Sequence, residues 1–370
     1  MTIELRQVTK EFGELTAVDR VDLEVGEGEV LCLLGPSGCG KTTTLRMIAG
    51  LESATSGDIL LADQKVNDLG ARERNVAMSF QFYALYPSLN VRENLAYPLH
   101  AEGMSATDID KRVGEIAQIL QLDHVLHRTP GQLAEGEKQR VAVGRSIIRD
   151  AVCFLFDEPL SRLDVQLRET MRGEIKEVLE GLNKPTVIVT HDQLEALTMA
   201  DRIAVMRDGL IEQVASPHEI FASPANLFVA GFIGTPQMNL VPTTLIERTA
   251  DGVNFEIAGQ KILLPIDGAT STLYPGYRAT FGIRPRAFDL VSEAGDDTLT
   301  ANVDIIEPMG AETLLHLLIG DQEFRVVVDR RRKPTIGQSI HLRCRSNQIH
   351  LFSADGQRIA LTSADEPAMA

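Results

Sequence analysis

Through the first thirty positions apolar residues alternate with polar ones. Ile3 and Leu5, then Val21, Leu23 and Val25, recur every second residue, which predicts strands covered on one face. The pattern then changes to short, wholly apolar runs: VLCLL from Val30, VCFLF from Val152, TVIVT from Thr186 and RIAVM from Arg202. Runs of this kind are strands buried on both faces of a parallel sheet. Between them the spacing is helical. Leu45, Ile48 and Ala49 follow a glycine-rich loop and stop at Gly50, while Leu167, Met171, Ile175, Val178 and Leu182 form a longer stripe. Strands alternating with helices predict an α/β core.

From Pro217 to Pro236 the chain reads as short, proline-bounded helices, a connector. Beyond it the helical period fades. Val253, Phe255 and Ile257 are answered by Ile262 and Leu264 across an AGQ turn, and Leu315, Leu317 and Ile319 by Phe324, Val326 and Val328 across GDQE. Ile340, Leu342 and Cys344 continue the alternation, so this part is expected to be a small barrel or sandwich. The final SADEPAMA is expected to fray.

Composition narrows the choices. A chain of 370 residues with 44% hydrophobic and 24% charged residues is long enough for two cored domains. Its net charge of −16 argues against a nucleic-acid partner held by bulk electrostatics, although a local nest of N–H groups still binds phosphate. The four cysteines, Cys32, Cys39, Cys153 and Cys344, are scattered, which fits a reducing compartment better than a zinc site or disulfide framework. No signal-like segment or run of ~18 apolar residues is present, so any membrane role is expected to be peripheral.

The chemistry begins at Gly35–Thr42, GPSGCGKT, between a buried strand and a helix, the context that GxxxxGK[ST] requires. Gly38 and Gly40 let the backbone curl N–H groups toward phosphate oxygens, helped by the helix start. Lys41 supplies charge to the outer phosphates, and the Thr42 hydroxyl is a Mg²⁺ ligand. VCFLF ends in Asp157 and Glu158, where an acid at the carboxyl end of a buried strand faces the same crevice. Asp157 is expected to serve the metal and Glu158 to polarise the attacking water. His191, after TVIVT, sits at the equivalent edge and is expected to contact the γ-phosphate.

In order, Phe12, the phosphate loop, Gln81 in SFQFYALYPSLNVREN, LAEGEKQRVAVGRS from Leu133, FLFDEP, SRLD and His191 in VTHDQLEA resemble the ATP-binding subunit of an ABC transporter. THDQLEALTMADRIAVM, FIGTPQMN, GIRP and QIHLF resemble the carbohydrate importers of that family over nearly the whole chain. The resemblance implies a P-loop NTPase core with a mixed, mostly parallel sheet, antiparallel N-terminal strands and a C-terminal all-β oligobinding-like domain. Expected boundaries are a nucleotide-binding domain over 1–235, with a helical subdomain about 85–150, and an accessory domain over 236–370.

The family also implies roles. Phe12 stacks on adenine; Gly35, Pro36, Ser37, Gly38, Cys39, Gly40, Lys41, Thr42 and Thr43 surround phosphate. Thr42, Gln81 and Asp157 serve Mg²⁺; Glu158, His191, Gln81 and Lys41 act in hydrolysis. Asp164 bridges two ATPase subunits, and Phe82–Pro87 meets a membrane subunit. Implied partners are two integral-membrane permeases, a solute-binding protein outside the membrane and a second ATPase subunit, homo- or heterodimeric, placing the chain at the cytoplasmic side of the cell membrane. Import of a polyamine, metal or polyol, or a non-transport ABC ATPase, are the alternatives.

One segment departs from the family. Where Leu-Ser-Gly-Gly-Gln is usual, this chain has Leu133, Ala134, Glu135, Gly136 and Glu137. Ala134 donates no hydroxyl hydrogen bond, a loss of about 1.5–3 kcal/mol toward a charged acceptor. Glu135 brings a carboxylate to an anion site, where like charges at ~4 Å repel by about 4 kcal/mol at an effective dielectric near 20. Three readings stand: an impaired site, carboxylates that swing away and stabilise the helix start, or a heterodimer whose partner completes this chain's intact site. Arg162, Phe82 and Arg286 are smaller departures.

Overall fold

The computed structural model describes residues 2–249, 252–264, 266–267, 274–332, 334–360 and 362–363. Chain order begins with β1 (Ile3–Phe12), β2 (Leu15–Val25), β3 (Val30–Leu34), α1 (Lys41–Ala49), β4 (Ser56–Leu61) and β5 (Gln64–Lys65). Next come β6 (Ala77–Ser79), α2 (Val91–Ala101), α3 (Ala106–Ile119), α4 (Glu135–Ile147), β7 (Phe154–Asp157) and α5 (Val165–Leu182). β8 (Thr186–Thr190), α6 (Gln193–Met199), β9 (Arg202–Arg207) and β10 (Leu210–Ala215) complete the first of two compact units, Met1–His218 and Glu219–Ala370.

The alternating N-terminal stretch forms an antiparallel sheet ordered β2-β1-β4-β5. The apolar runs form a second sheet, β10-β9-β3-β8-β7-β6, parallel throughout except for β10 at its edge. Every residue of β3, β7 and β8 is buried, as strands covered on both faces must be. Leu31, Leu33, Leu45, Ile48, Leu155 and Val187 belong to one core that also takes in Ile3 and Leu5 of the first sheet. Because β3, β6, β7 and β8 run in parallel, the loops that follow them emerge at one edge, and chemistry collects there.

Helices α2 to α4 fill the segment between β6 and β7. Gly144 lets α4 approach its neighbours, since a Cβ there would lie 2.8 Å from Leu120 and 2.9 Å from Leu95. The stripe on α5 differs from expectation. Met171, Ile175 and Leu179 are its buried apolar residues, whereas Val178 and Leu182 are half-buried. Successive steps of four keep one line facing the core, and a step of three moves Val178 to its flank. There, with Leu182 and Ile119, it lines a groove of about 400 Å³.

In the second unit, strands Asn239–Thr249, Gly252–Ile257, Gln260–Leu264, Arg278–Ile283, Ile349–Phe352 and Arg358–Ile359 make a six-stranded sheet. Phe288–Val291, Thr298–Met309, Glu312–Ile319, Gln322–Asp329 and Ser339–Cys344 make a five-stranded one. The expected hairpins are present, with Phe255 opposite Ile262 and Leu317 opposite Phe324. Phe255, Phe281, Leu299, Leu315, Phe324 and Leu342 join both sheets in one core. Most of the closing SADEPAMA lies outside the described residues.

The proline-bounded connector folds as α7 (Pro217–Ala222) and α8 (Leu227–Phe232). Packing divides the chain upstream of 235/236 because Ala230 of α8 shares a core with Met238 and Phe352. Arg284, only 5% exposed, holds this arrangement together. Its guanidinium donates to the Phe221 carbonyl at 2.6 Å and the Ile233 carbonyl at 2.7 Å, near the ends of both helices, where carbonyls lack helical partners. Burial pulls its pKa down to about 10. Arg284→Ala leaves these carbonyls without their donor and is expected to destabilise the second unit by about 2–4 kcal/mol. A urea midpoint within error of the unchanged protein would show that the two helices need no such tie.

Among the described residues no helix is long and apolar enough to cross a membrane.

Candidate active site

The loop after β3 is shaped by close contacts that only glycine permits. A Cβ on Gly35 would lie 2.3 Å from the Met206 carbonyl oxygen; Gly40, at φ +103°, would meet the Ala17 oxygen at 2.4 Å. Pro36, Ser37 and Gly38 are exposed, Cys39 is buried, and Thr42 and Thr43 are half-buried at the start of α1. Lys41 is turned into the loop, its ammonium donating to the carbonyls of Gly35 at 2.7 Å and Pro36 at 2.8 Å.

β7 brings Asp157 against this loop. Thr42 Oγ1 donates to Asp157 Oδ1 at 3.1 Å, joining two oxygens of the expected metal set. Burial raises the Asp157 pKa above its ordinary value, with the Thr42 hydrogen bond opposing it. Glu158 follows with φ +50°, a left-handed conformation rare for a non-glycine residue and concentrated at functional sites. Its N–H donates to the Val189 carbonyl at 2.9 Å, anchoring the turn to β8. The carboxylate is gripped on both sides: Gln81 Nε2 donates to Oε2 at 2.6 Å, and His191 Nδ1 lies 3.0 Å from Oε1. Gln81, Glu158 and His191 come from the ends of three different strands, and the structure brings them together.

Phe12, expected from the resemblance to stack on adenine, is 46% exposed and carries the Lys10 ammonium 4.7 Å from its ring centroid. The ammonium over the ring is a cation–π contact, and the ring's exposure leaves it accessible to a ligand. Asp164 caps α5, its Oδ1 accepting from the Leu167 N–H at 3.0 Å.

The altered segment is ordered by its own carboxylates. Leu133 is buried and Ala134 is the N-cap of α4, with no side chain able to cap. Glu137 accepts from the Ala134 N–H at 2.8 Å, so half of a capping box survives. Glu135 turns aside: Lys138 Nζ donates to its Oε1 at 2.6 Å and Tyr83 Oη to its Oε2 at 2.9 Å. Gly136 faces α5, where a Cβ would lie 2.7 Å from Leu167. Two other departures pair with each other, Arg162 lying 4.2 Å over the Phe82 ring, and Arg286 pairs with Glu312 at 2.6 Å.

Sequence reasoning missed the support beneath His191. Asp192 caps α6 through the Leu194 N–H and bonds Arg168, which also donates to the Leu163 carbonyl beside Asp164. Thr190 accepts from the Asp192 N–H at 3.0 Å and donates to Glu195 at 2.6 Å. The spacing of Asp192 and Glu195, an N-cap acid followed three residues later by glutamate, was the available signal.

Glu195 is 2% exposed, and burial, opposed by the Thr190 hydrogen bond, pushes its pKa from 4.5 up to about 7. Raised on folding, this carboxyl contributes stability that is complete below about pH 4.5. That contribution is lost as pH rises through about 7, on the order of 3 kcal/mol in all. Glu195→Gln is expected to remove this slope, so its urea stability gains on the native chain between pH 4.5 and 7.5. Parallel curves across that window would mean that Glu195 ionises as freely in the fold as out of it.

Fold and site together define a P-loop nucleotide hydrolase joined to an all-β domain, and the comparisons place it further. The ABC transporter family matches residues 18–161, the MalK OB fold domain 234–288 and the TOBE domain 281–352. The sn-glycerol-3-phosphate import ATP-binding protein UgpC of Escherichia coli (strain K12) is 44% identical over 96% of this chain and 99% of the relative. The sulfoquinovosyl glycerol transport ATP-binding protein SmoE of Agrobacterium fabrum is 42% identical over 96% of this chain and 99% of its own. Among solved structures, the dimeric post-hydrolysis state of the ATP-binding cassette MJ0796, bound to ADP and Pi, matches at 32% identity and TM-score 0.53, covering 58% of this chain and 98% of that one. The chain belongs to the ATP-binding proteins of ABC transporters and is an ABC ATPase with a C-terminal MalK-type β domain.

Proposed function

We propose that this chain hydrolyses ATP to energise import of a carbohydrate or sugar-like solute through permease subunits, from the cytoplasmic face of the cell membrane. The carrying observation is the Glu158 carboxylate, held between Gln81 and His191 beside the Thr42–Asp157 pair. Solute class rests on relatives whose names specify glycerol phosphate and a sulfosugar glycerol. On this reading the unit up to His218 binds and hydrolyses ATP, and the unit from Glu219 onward is the accessory domain.

Each residue has a role. Phe12 offers its face to adenine. Lys41 exchanges the Gly35 and Pro36 carbonyls for phosphate oxygens, and the loop N–H groups from Ser37 to Thr43 surround the β-phosphate. Glu158 takes a proton from water as that water's oxygen attacks the γ-phosphorus and the bond to the ADP oxygen breaks. Gln81 and His191 hold the base and approach the γ-phosphate. Thr42, Asp157 and Gln81 are hard oxygen donors suited to Mg²⁺, which takes few protein ligands alongside phosphate and water. When bound there, Mg²⁺ would neutralise phosphate charge.

Closure over ATP involves a second ATPase subunit, each site completed by the partner's Leu133–Glu137 and joined near Asp164. A groove of about 580 Å³ lined by Met78, Tyr86, Tyr97, Arg145 and Arg149 receives the permease, with Phe80 and Phe82 exposed on the neighbouring segment. A solute-binding protein acts through the permeases from outside.

Co-expression with candidate permeases and reconstitution into proteoliposomes tests the reading. The expected result is a stable membrane complex whose ATP hydrolysis rises with solute and solute-binding protein. Hydrolysis stimulated by ribosomes or nucleic acid, with no membrane complex, would overturn it.

A further inference from the structure

Three of the chain's departures gather at one place. Glu135 at the start of α4, Tyr83 and Phe82 after Gln81, and Arg162 before Asp164 come from three separate segments, yet they meet. Tyr83 and Lys138 hold the two oxygens of Glu135, and Arg162 lies on Phe82, the neighbour of Tyr83. The fields of Lys138 and Arg162 add to these two hydrogen bonds in holding the Glu135 carboxyl below its ordinary range.

This bears on the like-charge problem. A carboxylate one residue into the helix opposes an incoming phosphate only if its charge is uncompensated and directed at it. Here both oxygens are committed, one to a cation and one to a neutral donor. The side chain is thus drawn off the start of α4, where first-turn N–H groups have no partner within the helix.

We propose that Lys138 and Tyr83, with Arg162 behind them, are positioning residues that cancel and turn aside the Glu135 charge, making Leu-Ala-Glu-Gly-Glu a working signature for the partner's ATP. The inference rests on the reading that this segment completes the partner's site. It adds a mechanical consequence. Because Gln81 holds Glu158 and Tyr83 holds Glu135, three residues of one segment join this chain's own catalytic base to the helix serving the other ATP.

The test is a double-mutant comparison in the full-length chain carrying Glu158→Gln, which is expected to keep its ATP. The ATP concentration giving half-maximal dimer closure is read by analytical ultracentrifugation or a pair of distance labels. Lys138→Met is expected to raise it at least fivefold, and Tyr83→Phe twofold or more. With Glu135→Gly also present, each change should shrink to less than twofold, because no charge remains to compensate. Equal effects in both backgrounds, or none with Glu135 retained, would overturn the compensation. Ala134→Trp separates the premise: if a bulky residue there leaves closure untouched, or if the parent chain does not close with ATP, the segment does not serve a partner's site and the underlying reading fails. If Ala134→Trp blocks closure while the double-mutant comparison is flat, only the compensation fails.

Discussion

Turnover of ATP is expected to fall by about 10²–10⁴-fold when Glu158 is replaced by glutamine, with nucleotide binding preserved. The substitution keeps the size and the two contact points of the side chain. Its amide oxygen still accepts from Gln81, and its NH₂ faces His191 Nδ1, where the carboxylate oxygens now sit 2.6 Å and 3.0 Å from those partners. Only the capacity to accept water's proton is lost. Single-turnover phosphate release, beside equilibrium binding of a fluorescent ATP analogue, separates the two effects. Sustained multiple-turnover hydrolysis by the variant would assign the base elsewhere. The left-handed backbone of Glu158 adds a control: a side chain of the same shape at the same φ of +50° adds no strain to the turn, so a stability loss is not expected.

Lys41→Ala is expected to act at the earlier step, raising the ATP dissociation constant roughly 30- to 5,000-fold. Truncating one partner of a desolvated, hydrogen-bonded charge pair costs about 2–5 kcal/mol, much of it from leaving the other charge unmatched. Lys41 is 6% exposed and its ammonium sits inside the loop on two carbonyl oxygens, so no neighbouring cation substitutes from solvent. Isothermal titration with Mg-ATP gives the constant, and circular dichroism shows whether the loop's helix is retained. An unchanged constant would mean that the main chain alone grips the triphosphate.

Much of this was legible because it is written in local patterns. Buried parallel strands announce themselves as unbroken apolar runs, and β3, β7, β8 and β9 fall on the four such runs. The phosphate loop was readable since Gly35 and Gly40 occupy positions where a Cβ would strike backbone. Asp157, Glu158 and His191 were found from one rule, that parallel strands deliver their following residues to a common edge. The flank of α5 was misjudged, with Val178 and Leu182 half-buried, because apolar type at helical spacing does not say which line meets the core. Phe12 was placed at the adenine by the resemblance and not by its residue type, and its ring lies exposed.

The charged residues of the altered signature were the least legible. Read along the chain, Glu135 is a carboxylate in an anion site, and Lys138 and Tyr83 are unremarkable surface residues. Their hydrogen bonds span 3 and 52 residues, and only the second needs the fold. Arg162 and Phe82, 80 positions apart, could not be paired from spacing at all.

What the chain determines by itself is therefore set by period and by steric exclusion: which stretches are strands, where glycine is obligatory, and which edge carries acid, base and lysine. What the tertiary structure alone decides is the partner of each charge. Electrostatic energy depends on distance through space, and distance between segments is created only when the sheet and helices close around their shared core.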